Sequence, residues 1–99
     1  MVVAYITAKI TPCRSYWVEV EFLSLYGEWR VVETLRGEAI NGEVCFWICA
    51  ADFRSEFTYR WRIYLPGSLE VLATSKPFQF PKKQGETVRC SISLIPRPV

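Results

Sequence analysis

Residues 42–67, GEVCFWICAADFRSEFTYRWRIYLPG, hold two of the chain's four cysteines and two of its four tryptophans, and their alternation decides the fold class. From Phe57 to Leu65 every second residue is apolar (Phe57, Tyr59, Trp61, Ile63, Leu65), while Thr58, Arg60, Arg62 and Tyr64 point the other way. That is the pattern of a strand with one buried face. Glu43 to Ala51 reads differently: Val44, Phe46, Ile48 and Ala50 share one face, and Cys45, Trp47, Cys49 and Ala51 share the other. Both faces are apolar, so both need cover.

Outward from this pair, the chain divides into short strands. Val2, Ala4, Ile6, Ala8 and Ile10 alternate with Val3, Tyr5, Thr7 and Lys9 until Pro12, which cannot donate to a ladder; this first strand is expected at a sheet edge. Tyr16 to Leu25 turns Val18, Val20 and Phe22 inward and Trp17, Glu19 and Glu21 outward. The segment 28–36, EWRVVETLR, fits a helix through Trp29, Val32 and Leu35 and a strand through Trp29, Val31, Glu33 and Leu35. The β-branched Val31, Val32 and Thr34 and the bracketing Gly27 and Gly37 favour the strand. Asn41-Gly42 supplies a tight turn and Pro66-Gly67-Ser68 another. Leu69 to Thr74 is a strand prolonged along one side by Phe78 and Phe80, with Pro77 limiting its central pairing. Residues 81–86 form an exposed loop, and Thr87 to Ile95 places Val88, Cys90, Ile92 and Leu94 on one face.

Seven short strands with turn signals about every ten residues imply an all-β fold, an antiparallel β-sandwich. The alternatives are a small β-barrel, or an α+β fold if 28–36 is a helix. Residues 1–95 form one domain and 96–99 a short tail. Asp52, Ser55, Phe57 and Tyr59 resemble the corner before the sixth strand of immunoglobulin-like domains, and the hairpin ending in Ser75-Lys76-Pro77-Phe78 is similar to the last hairpin of immunoglobulin-like or fibronectin-type modules. The resemblance implies an architecture and brings no functional residues. Phe57 lacks the hydroxyl of a tyrosine corner, Tyr59 stands where an immunoglobulin cysteine would, and the strand from Thr87 lies beyond the expected end.

Ninety-nine residues bury about 60–70% of their unfolded surface, enough for one core without metal or staples. No apolar run approaches the ~18 residues of a membrane-spanning helix. Twelve basic against ten acidic residues leave a net charge of +2, which selects no partner by electrostatics. The start, MVVAYITAKITP, reads as a strand instead of a signal peptide, so a cytoplasmic or virion-associated location is expected. One Asn, two Gln and one Met resemble the composition of heat-adapted proteins, in which intracellular disulfides occur. The small, leaderless chain is also similar in type to small proteins of thermophilic archaeal viruses.

The cysteines give a sharper expectation. Four apart in one strand, Cys45 and Cys49 sit about 13 Å from each other, beyond the ~7 Å disulfide limit between α-carbons. Two pairings remain: Cys13 with Cys45 and Cys49 with Cys90, or Cys13 with Cys49 and Cys45 with Cys90. The alternatives are four reduced, buried thiols or a zinc site, and the spacing of Cys45 and Cys49 disfavours zinc. With no histidine, no nucleophile–base pair is placed by the sequence, and the carboxylates Glu19 and Glu21 read as a solvated face instead of a glycosidase pair; no enzyme and no cofactor is expected. Arg60 and Arg62 either ion-pair with Glu19 and Glu21 across strands or join Lys82 and Lys83 in an anion-binding groove for nucleic acid. Trp47, with Trp17 and Tyr64, is the expected protein interface, because a monomer rarely leaves such a face open to water. The expected function is thus a noncatalytic interaction or structural protein, plausibly a homodimer, with a nucleic-acid-binding module as the alternative.

Overall fold

The computed structural model describes residues 3–49 and 56–94, and in it the alternating segments form seven strands with no helix among the described residues. They are β1 (Val3–Thr11), β2 (Tyr16–Leu23), β3 (Trp29–Ala39), β4 (Glu43–Cys49), β5 (Tyr59–Tyr64), β6 (Val71–Thr74) and β7 (Thr87–Ser93). Two sheets result, one ordered β4-β1-β7 and the other β3-β2-β5-β6, antiparallel throughout except for the parallel pair β1–β7. This is the seven-stranded β-sandwich that the turn spacing implies. Ala50, Ala51, Asp52 and Ser55, and the tail at 96–99, lie outside the described residues.

The inner faces meet as the alternation requires. Ile6, Ala8 and Ile10 of β1 pack with Tyr16, Val18 and Val20 of β2, Ile48 of β4, Tyr59, Trp61 and Ile63 of β5 and Ile92 of β7, all buried. Trp61 is the largest fully buried side chain; its ring stacks on Phe46 at 5.7 Å and neighbours Phe78 at 6.2 Å. A buried Tyr16 hydroxyl donates to the Pro12 carbonyl at 2.6 Å. A backward bond of this kind marks the tyrosine corner of sandwich folds. It occurs between β1 and β2, and not at the Phe57 corner, which lacks the hydroxyl.

Three expectations are corrected. β1 is the centre of its sheet and not an edge, because β7 returns from the far end of the chain to pair with it from Tyr5↔Thr87 to Thr11↔Ser93. The returning chain follows β5 first: Phe78 and Tyr59 exchange two 2.8 Å hydrogen bonds, Phe80 and Pro81 are buried, and Gly85 then donates to Val3. The strand expected over 57–65 is shorter, leaving Phe57 and Leu65 exposed. Gly37 lies inside β3 opposite Val18 and does not end it.

The ambiguous segment is the strand that its β-branched residues favour, and it carries an irregularity. β2 steps from Glu19 to Glu21 while β3 steps from Arg36 to Val31, so β3 carries three extra residues there, a bulge larger than the usual single residue. Val32 and Leu35 both turn to the core across it. Their spacing of three, which imitates a helix in the sequence, is the footprint of this bulge.

Asn41 and Gly42 form the expected turn with φ of 55° and 75°, the left-handed pair of a tight two-residue connection. It leads from one sheet to the other instead of joining neighbours within a sheet. A Cβ on Gly42 would collide with the Ile10 carbonyl oxygen.

Candidate functional site

The outer face of the four-stranded sheet is occupied by its own charges. The β2–β5 register sets Glu21 opposite Arg60, Glu19 opposite Arg62 and Trp17 opposite Tyr64. Arg60 Nε donates to Glu21 at 2.8 Å, Arg62 lies 3.8 Å from the same carboxylate, and Arg36 of β3 reaches Glu19 at 3.4 Å and Glu33 at 3.2 Å. The guanidinium of Arg60 lies 4.1 Å above the Trp29 ring, and Arg36 stands 5.8 Å from the Trp17 ring. Under this lattice Glu21 is only 8% exposed. Burial, with the nearby Glu19 charge, raises the Tyr64 phenol above its ordinary pKa, while Arg62 opposes the shift. The cross-strand reading of Arg60 and Arg62 is therefore the one the geometry realises. Lys82 and Lys83 lie in the loop bonded to the start of β1 in the other sheet.

The outer face of the three-stranded sheet is different. Trp47 is 62% exposed and stands opposite Tyr5, itself 40% exposed. Cys45, Lys9, Glu43, Arg89 and Ser91 are also exposed on this face, and among the described residues neither Lys9 nor Arg89 takes part in an ion pair. The expected interface trio is thus split. Trp17 and Tyr64 are half-buried and engaged with the charged lattice, whereas Trp47 stands in the open sheet with Tyr5, whose outward position in the sequence carries no signal of its own.

No disulfide forms among the four cysteines. Both expected pairings fail for geometric reasons. Cys45 pairs with Thr7 on one side of β1 and Cys90 with Ala8 on the other, so two strand spacings and opposite sheet faces separate them. Cys49 lies opposite Val3, five β1 residues from the position of Cys90, and Cys13 lies in the turn near Gly42 at the other end of β4. Cys90 faces inward near Ser75; burial raises its thiol pKa and the Ser75 hydrogen bond opposes the rise. Among the described residues there is no cluster of three or more possible metal ligands.

Beside the bulge of β3, an apolar groove of about 510 Å³ opens between residues of the two sheets. Phe22, Val32, Leu35, Phe46, Phe57 and Phe80 form most of its described wall, Trp47 also lines it, and none of the described lining residues is charged. The sequence signal for it was the broken period at 28–36. The geometry defines a sandwich with one self-satisfied outer face and one open outer face beside an uncovered edge strand. Comparison with protein-family models, with curated proteins and with solved structures finds no match to this chain.

Proposed function

We propose that the protein is a noncatalytic interaction module that associates with a second copy of itself through the three-stranded sheet at Trp47. The observation that carries this reading is the exposure of Trp47 beside Tyr5, on the one outer sheet face whose aromatic groups no ion-pair lattice covers. Tryptophan and tyrosine dominate association energies because they bury large area at low entropic cost. Light scattering tests it: wild type is expected at about twice the 11.5 kDa chain mass, and Trp47→Ala at the mass of one chain. A wild-type monomer at every concentration would sink the reading. Self-association of this apolar kind persists or strengthens in sulfate.

A nucleic-acid-binding reading draws support from Lys9 and Arg89, which lack carboxylate partners on the face that carries Tyr5 and Trp47 as stacking platforms. It predicts binding to a single-stranded oligonucleotide that collapses between low and moderate salt.

A further inference from the structure

A sandwich has four sheet edges, and three of these carry features that resist pairing with another chain. β3 is bulged and lined with Arg30, Glu33, Arg36 and Glu38; β6 has four residues between Pro66 and Pro77; β7 carries Arg89 next to its central residue. β4 has none of them. Its register with β1 runs unbroken from Lys9↔Glu43 to Val3↔Cys49, and from Val44 to Cys49 it contains no charge, proline or bulge.

The hydrogen-bond phase says which backbone groups this edge presents. Ile10 N–H donates to the Gly42 carbonyl at 2.7 Å, and bonded pairs in an antiparallel ladder recur at every second residue. Val44, Phe46 and Ile48 therefore turn their N–H and C=O toward β1. Glu43 turns outward, where Ile40 takes both of its groups at 3.0 Å. Cys45 and Trp47 follow in the same outward phase, along an edge that no strand covers.

Resting on the self-association reading, we propose that β4 pairs antiparallel with β4 of a second copy, with Trp47 on the two-fold axis, so that two three-stranded sheets become one of six strands. Glu43 excludes the axis positions nearer the start of β4, and of the rest Trp47 keeps the most rungs within Val44–Cys49. Centring the pair on Cys45 would set Glu43 against the partner's Trp47, and centring it on Phe46 would set Glu43 against the partner's Cys49; either wastes a rung, since Ile40 already holds the Glu43 groups. Centring on Trp47 leaves Glu43 outside, pairs Trp47 with itself and puts Cys45 opposite the partner's Cys49. The same surface serves both copies, as a two-fold interface demands, and no like charges meet between Val44 and Cys49. Cysteines that cannot bridge within one chain thereby become neighbours between two.

Two measurements test the register. Cys45→Pro removes an outward N–H and leaves the β1 ladder intact; it is expected to fall to the mass of one chain in light scattering while its circular dichroism and melting stay near wild type. In a Cys13→Ser, Cys90→Ala background, dibromobimane, which bridges neighbouring thiols, is expected to link two chains. The link is expected in a mixture of chains that retain only Cys45 with chains that retain only Cys49, and in neither kind alone. A dimer that survives Cys45→Pro, or a link between chains that retain only Cys45, overturns the edge pairing and leaves self-association standing. A wild-type monomer overturns both.

Discussion

The two outer faces of this sandwich are built from the same period-two alternation and end in opposite conditions. On the four-stranded sheet each outward carboxylate of β2 meets a guanidinium: Glu21 meets Arg60, and Glu19 meets Arg36. On the three-stranded sheet Trp47, Tyr5, Lys9 and Arg89 stand outward with no such closure. Alternation tells which residues face out; only the neighbouring strand tells whether they are already engaged.

The largest expected break in this contrast is Glu21→Ala. It leaves Arg60 and Arg62 close together over a nearly buried site, and urea unfolding is expected to report a loss of about 2 kcal/mol. On the open face, Lys9→Ala and Arg89→Ala are expected to stay within about 0.5 kcal/mol of wild type. Equal losses on the two faces would erase the distinction.

A smaller effect compares two tryptophans. Trp29 lies beneath the Arg60 guanidinium, and Trp29→Ala is expected to cost about 1 kcal/mol of stability. Trp47→Ala, read on the monomer, is expected to change stability by less than about 0.5 kcal/mol. Its consequence belongs to association.

The smallest effect is a pH dependence that sets the inner side of the open sheet against its outer side. Burial raises the folded-state pKa of Cys90, so the protonated thiol is the form the fold favours. Its contribution is fully present below the unfolded thiol pKa of about 8.5 and is lost as pH rises through the higher folded value. Wild type is expected to lose more stability over that window than Cys90→Ala, measured by urea unfolding at successive pH values. At neutral pH the inward Cys90 is expected to alkylate more slowly than the exposed Cys45. Parallel pH profiles for wild type and variant would remove the effect.

Much of this was readable from the residues. The inner faces of β2, β5 and β7 follow directly from alternation, Asn41-Gly42 announces its turn, and the opposite charges of Glu19 and Glu21 and of Arg60 and Arg62 suit cross-strand pairs. What alternation could not reveal was strand adjacency. β1 ends at a proline like an edge strand, yet β7 covers it; the relation is parallel and joins the two ends of the chain, and local patterns carry no trace of it. The cysteine pairings failed for the same reason, since Cys45 and Cys90 flank one strand from opposite sides. At 28–36 the period was misleading because a bulge, and not a helix, brought Val32 and Leu35 to one face. Tyr5 was missed as part of the candidate site because an outward tyrosine becomes informative only once Trp47 stands beside it.

The position of β7 also bears on how the chain is made. Its partner β1 is the first of the seven to leave the ribosome, and β7 is the last. While the intervening strands emerge, one flank of β1 keeps unpaired amides and carbonyls beside the apolar row of Ile6, Ala8 and Ile10. Contacts of such high sequence separation slow folding. The nascent sheet thus stays unfinished until β7 has been made, and the interval in which it is open to a wrong strand is set by the time taken to synthesise the chain from β1 to β7.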